Sequence, residues 1–171
     1  MKQMINLGFF HLLKDKFFMT HLKAGDKAPE FSGPDQSGKI VSLTALRGKK
    51  VVLYFYPKDD TPGCTAEACN LRDNYQTLKK EGFEVLGVSM DDPESHRKFG
   101  KKYELPFRLI ADTDQQIVHA YGVFGEKKLF GHKFMGIHRT TFLIDEKGTI
   151  HHIISKPDTG DHARQILEAW K

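Results

Sequence analysis

Val51-Val52-Leu53-Tyr54-Phe55-Tyr56 runs directly into Pro57-Lys58-Asp59-Asp60-Thr61-Pro62-Gly63-Cys64-Thr65-Ala66-Glu67-Ala68-Cys69. The first six residues are apolar or aromatic without alternation, the pattern of a strand covered on both faces, so they belong in the middle of a sheet. The Pro-Gly turn and the helix formers after it mark a strand-to-helix junction, with a helix expected over residues 65–80. Further strands are expected at 40–43, 83–88 and 140–144. Residues 149–154 read as the second arm of a hairpin, reached through Asp145-Glu146-Lys147-Gly148. Helices are expected at 93–102, 115–121 and 161–170, each with a cap or proline signal near its start. Strand and helix alternate and then close on a hairpin and a last helix. That order predicts an α/β protein with a thioredoxin-like fold, a central mixed β-sheet flanked by helices on both faces.

The chain has 171 residues, which one hydrophobic core can serve, and its 39% hydrophobic and 28% charged content describes a globular protein rather than a disordered one. The net charge of +4 comes from lysine pairs (Lys49-Lys50, Lys79-Lys80, Lys101-Lys102, Lys127-Lys128) spread among acidic residues. No nucleic-acid-binding motif accompanies them, so no nucleic-acid partner is expected. Residues 1–21 differ from the rest. Ile5, Phe9, Leu12 and Leu13 recur at roughly helical spacing, but Asn6 and His11 interrupt the run and Lys14-Asp15-Lys16 ends it. The segment is too short and too broken for a membrane span or a signal peptide. We read it as an N-terminal extension, with the usual start at Met19, ahead of a single domain over 22–171. No stable membrane insertion and a cytoplasmic location are expected.

Two cysteines are too few for a disulfide scaffold, and their setting points to chemistry instead. Cys64 stands where a helix begins just beyond the carboxyl end of a strand. Unsatisfied N–H groups and the positive end of the helix dipole favour a thiolate there. Thr61 offers a hydroxyl able to donate to the thiolate and to accept from a substrate proton, while Pro62 and Gly63 let the backbone come close to a ligand. A plain turn and cap would also use Thr61, Pro62 and Gly63. Cys69 follows five residues later. On a regular helix the two Cα atoms would stand about 8 to 9 Å apart on different faces, beyond the roughly 7 Å that a disulfide allows. If the two cysteines pair, the first turns of the helix must unwind.

Pro57-x-x-x-Thr61-x-x-Cys64 matches the active-site motif of the peroxiredoxins. With Cys69 it resembles the bacterioferritin comigratory protein, or peroxiredoxin Q, subfamily. The resemblance extends through Gly82 to Asp91, Phe107 to Asp112, Tyr121-Gly122-Val123 and Gly136 to Asp145, so it covers the chain from about Leu22 to its end. It implies a thiol-dependent peroxidase that reduces hydrogen peroxide and organic hydroperoxides, with Cys64 as the attacking thiol and Cys69 as the resolving one. Thr61 and Arg139 would position the peroxide and Pro57 would shield the site. The intramolecular Cys64–Cys69 disulfide would be reduced by thioredoxin or a similar dithiol, with no metal, haem or flavin, and the protein would be a monomer. An arginine also suits the chemistry directly, because a permanent forked cation favours a thiolate and stabilises charge developing along the O–O bond. Without the motif Arg139 would read as a solvated charge at a strand end. Glu67 is a candidate to orient it.

Two other classes were weighed. A thiol-disulfide oxidoreductase on the same fold would want Cys-x-x-Cys, and four residues separate these cysteines. A zinc module would need a matching second pair of ligands, and the nine histidines are dispersed, with His151 and His152 adjacent on an expected strand and facing opposite ways. A peroxide-responsive binding or chaperone role remains compatible with unwinding around Cys64.

Overall fold

A computed structural model describes Phe18 and residues 20–171 of the chain. The elements begin with β1 (Ser32–Pro34), β2 (Ile40–Ser42), β3 (Lys50–Phe55), α1 (Pro62–Asp73), α2 (Tyr75–Lys80) and β4 (Phe83–Ser89). They continue with α3 (Pro93–Lys102), β5 (Arg108–Ala111), α4 (Gln116–Ala120) and the pair β6 (Phe124–Leu129) and β7 (His132–Ile137). The chain ends with β8 (Thr140–Ile144), β9 (Ile150–Ile154) and α5 (His162–Trp170).

The apolar run is the centre of a five-stranded sheet in the order β5-β4-β3-β8-β9. β3 pairs in parallel with β4 and antiparallel with β8, giving the expected mixed sheet. Its side chains alternate between two cores: Val51, Leu53 and Phe55 enter one, Val52, Tyr54 and Tyr56 the other. Burial of each such side chain contributes about 1.5–3 kcal/mol, so a polar residue anywhere in this strand would be costly. Helices lie on both faces, but unequally. Leu71 of α1, Leu78 of α2, Phe99 of α3 and Ile166 of α5 share the second core, whereas Ile117 and Val118 of the short α4 join β2 and the loops around it in the first.

Several elements differ from expectation, among them β1 and β5, which the sequence left without an element. The helix predicted over 65–80 begins earlier and is broken. It starts at Pro62, because proline at the first helical position loses no hydrogen bond, and it stops at Asn74. There the Asn74 side-chain amide donates to the Asn70 carbonyl at 2.8 Å, competing with the backbone ladder. The sequence also left 124–137 without an element. This stretch is the two-stranded β6–β7 hairpin, turned by Phe130 (φ 49°) and Gly131 (φ 78°). Of the expected N-terminal extension, residues 1–17 and Met19 lie outside the described residues. Phe18 stacks on His138 with ring centroids 3.6 Å apart, and the Thr20 hydroxyl donates to the Tyr121 carbonyl.

Candidate active site

Cys64 is the third residue of α1, after Thr61 at the cap and Pro62 and Gly63 in the first turn. The first intrahelical hydrogen bond runs from Thr65 N to Thr61 O, so the amides of Gly63 and Cys64 have no acceptor within the helix and present their dipoles at its end. Cys64, Glu67, Ala68 and Leu71 form the buried face of α1, at helical spacing. Cys64 is 1% exposed, and Glu67 stands beside it one turn on, also buried. Cys69 is partly exposed, on a different face of the same continuous helix, and both thiols are free.

Arg139 arrives from far along the chain. It immediately precedes β8, whose Thr140 pairs with Phe55, the last residue of β3. The register therefore delivers Arg139 to the point where the chain leaves β3 for the cysteine loop. Its Nη2 donates to Cys64 Sγ at 3.3 Å and its Nη1 donates to Glu67 Oε1 at 2.9 Å. Gly63 makes room for this. A Cβ there would stand 3.2 Å from Arg139 Nη2, closer than the guanidinium can comfortably accept. Thr61 is oriented differently from expectation. Its hydroxyl donates to the Lys58 carbonyl at 2.9 Å, not to the thiol, because the turn brings that carbonyl closer. Pro57, half-buried, follows the carboxyl end of β3.

Behind Arg139 lies a layer of buried polar groups that the sequence did not mark. Burial raises the Glu67 carboxyl from its usual range to about 7, with the Arg139 charge and hydrogen bond pulling the other way. For Arg139, burial pulls the guanidinium down, and the neighbouring Glu67 and Cys64 more than offset that and hold it above its ordinary value. His162, at the start of α5, is fully buried with its Nε2 3.8 Å from Glu67 Oε2. Gln165 Oε1 faces His162 Nδ1 at 2.8 Å, and the Thr141 hydroxyl lies 2.8 Å from Nε2. Burial, with Arg139 nearby, lowers His162 to about 4 despite the Gln165 hydrogen bond, so it is neutral near pH 7. Among the described residues, Glu67 Oε2 and the Tyr54 hydroxyl are buried without a hydrogen-bond partner. Nothing in the spacing of Tyr54, Thr141 and His162 links them to Cys64. Only Glu67, at i+3 from Cys64, carried a local signal.

The arrangement is a buried thiol at a helix start, met by a guanidinium whose other arm is anchored to a buried carboxylate. It can hold a thiolate and stabilise negative charge on an oxygen brought against the sulfur. His151 and His152 take no part: both are exposed on β9, and His151 stacks on Trp170 at 4.0 Å.

Comparison with known proteins identifies the family. The profile of the AhpC/TSA family matches residues 24–153. Peroxiredoxin Bcp of Escherichia coli K12 is 50% identical over 153 residues, covering 90% of this chain and 98% of that protein. Peroxiredoxin Bcp of Bacillus subtilis is 41% identical over 150 residues, covering 88% and 96%. Among solved structures, Xanthomonas campestris peroxiredoxin Q superimposes with a TM-score of 0.77 at 35% identity, covering 82% of this chain and 89% of that one. Peroxidoxin BcpB of Mycobacterium tuberculosis superimposes with a TM-score of 0.78 at 33% identity, covering 88% and 97%.

Proposed function

The chain belongs to the AhpC/TSA family and is a thiol-dependent peroxidase, and from that premise we propose that Cys64 attacks the peroxide and Cys69 resolves the product. The observation that carries this reading is the contact of Arg139 with both Cys64 Sγ and Glu67. In the first step the Cys64 thiolate attacks the terminal oxygen of a hydroperoxide. An S–O bond forms, the O–O bond breaks, and the departing alkoxide or hydroxide leaves as alcohol or water after taking a proton. Arg139 bears the charge that builds on the oxygens. Thr61 has its hydroxyl proton committed to Lys58, so its remaining capacity is as an acceptor, suited to the O–H of the peroxide. Pro57 screens the loop from bulk water. Cys69 then attacks the Cys64 sulfenic acid, forming the disulfide and releasing water.

Because Cys64 is buried and Cys69 lies on another face of α1, the second step requires the start of α1 to unwind. A thioredoxin-type dithiol then reduces the disulfide. The same reading takes the protein as a cytoplasmic monomer, whose thiols the reducing compartment returns to the free state. Among the described residues no helix is long and apolar enough to cross a membrane. Gel filtration at working concentration tests the monomer.

The central experiment follows peroxide consumption with thioredoxin and its reductase. Cys64→Ser should reduce turnover to background. Cys69→Ser should also lose turnover but retain one rapid event per chain that leaves a trappable sulfenic acid. Undiminished consumption by Cys64→Ser would overturn the assignment.

A further inference from the structure

We propose that His96 and Asp59 are positioning residues for Cys64: they share one proton across the gap between α3 and the cysteine loop, and this holds the loop closed in its peroxide-reactive form. The inference rests on the Cys64 reading above. Strands β3 and β4 are parallel, so the cysteine loop and the start of α3 leave the sheet side by side. Asp59, in that loop, is buried against α3. His96 Nδ1 lies 2.7 Å from Asp59 Oδ2, with side-chain exposures of 0% and 4%.

The hydrogen bonds locate the proton. His96 Nε2 is 3.0 Å from the Ile110 carbonyl, which can only accept, so Nε2 carries hydrogen. A neutral ring would then turn the bare lone pair of Nδ1 onto a carboxylate oxygen 2.7 Å away. That contact is stable only with a second proton between the two atoms. The remaining capacity of Asp59 is filled: Tyr56 donates to Oδ1 at 2.6 Å and Ser95 to Oδ2 at 2.8 Å. The loop is tied down further along. Asp59 N donates to Asp91 Oδ2 at 2.9 Å, and Asp60, held at φ 57°, accepts from Lys102 Nζ at 2.8 Å and Tyr103 Oη at 2.7 Å.

Ligand atoms of Asp59, Asp91 and His96 come within 4.8 Å of one another, a spacing that would also suit a cation. The contacts favour the proton. Asp91 Oδ2 already accepts from Ser89 Oγ at 2.6 Å as well as from Asp59 N. Zinc bound at its normal bond lengths would spread Nδ1 and Oδ2 to about 3.3 Å.

Opening the loop, as disulfide formation requires, separates the pair. The charged groups around the pair are Asp91 after β4, Asp60 in the loop, and Asp92, Glu94, Lys98 and Lys102 at α3, with the Tyr56 hydroxyl just after β3. Glu67, which titrates near 7, faces Arg139 from α1 and is common to every variant compared below.

The test combines amide hydrogen exchange over residues 58–64 with the single-turnover rate of Cys64 oxidation by hydrogen peroxide, both in a Cys69→Ser background. His96→Leu should raise loop exchange at least tenfold and slow oxidation about tenfold, with β3 and β4 exchange unchanged. His96→Asn, whose side-chain amide can donate in place of Nδ1, should restore both within threefold. The proposal is overturned if His96→Leu stays within twofold of the parent in both readouts, or if His96→Asn is as impaired as His96→Leu. Stoichiometric zinc binding by the parent that His96→Asn abolishes would also overturn it. Should the leucine variant fail to fold, His96→Asn decides alone: loop exchange more than threefold above the parent overturns the proposal. Loop exchange is independent of peroxide chemistry, so a failure of the Cys64 assignment, read from Cys64→Ser, is distinguishable from a failure of this one.

Discussion

Two buried carboxylates flank the cysteine loop, and they are satisfied to different degrees. Asp59 uses both oxygens, accepting from Tyr56 and Ser95 and facing His96. Glu67 uses one, accepting from Arg139 through Oε1 while Oε2 is buried without a partner. A fully satisfied buried acid fixes one geometry, whereas a partly satisfied one costs stability and keeps acceptor capacity in reserve. On the reading proposed above, the first belongs to the scaffold that presents the loop and the second to the chemistry that the loop performs. The protein thus leaves an unpartnered acceptor beside the thiol, whereas the carboxylate of the loop is fully partnered.

Substitutions separate the two roles. The largest expected effect is on Arg139, which serves the reactive side alone. Arg139→Leu should lower the rate of Cys64 oxidation by peroxide about 10²–10³-fold, the usual loss of one preorganised charge donor, as stopped-flow measurement would show. Next is Asp59→Asn, which leaves the buried His96 Nδ1 without its carboxylate partner. It should destabilise the fold by about 3 kcal/mol in urea denaturation, within the range for breaking a buried pair from one side. An equal loss from Glu67→Gln would erase the distinction between the two carboxylates.

Glu67→Gln is expected instead to act mainly through pH. Because the folded-state value is raised from 4.5 to about 7, the folded protein holds this proton more tightly than the unfolded chain. That contribution is fully present below about 4.5 and is lost as pH rises through about 7. The parent should therefore lose stability relative to Glu67→Gln across that window, and denaturation at several pH values checks it. The smallest effect is that of Gly63→Ala, which crowds Arg139 Nη2 at 3.2 Å. Peroxide oxidation should slow by about threefold to tenfold with stability changed by less than about 1 kcal/mol, since the flexible guanidinium can move aside.

Much of this molecule is visible in its residue pattern. The run 51–56 announced a central strand because a strand covered on both faces has no polar positions. Pro93 and Asp92 fixed the start of α3, where the Asp92 side chain accepts from Ser95 N. The thiol was legible from strand-to-helix geometry, and the second cysteine and the arginine from the resemblance to the peroxiredoxin motif. The β6–β7 hairpin was not. Glu126, Lys127, Lys128 and Lys133 lie along strands exposed on both sides, and no apolar alternation marks them. The break at Asn74 was also hidden, because it depends on one side chain bonding back to Asn70.

The sequence by itself determined the central strand, most of the helices and which thiol begins a helix, because these follow from local periodicity and capping, while the residues expected to serve that thiol came from the family motif. Only the tertiary structure decided which charges meet. The antiparallel register of β8 on β3 carries Arg139 to Cys64, and the parallel register of β4 on β3 carries His96 to Asp59. Such pairings join residues dozens of positions apart. They are set by how sheet strands align to bury their apolar faces, a property of the packed chain that no local stretch records.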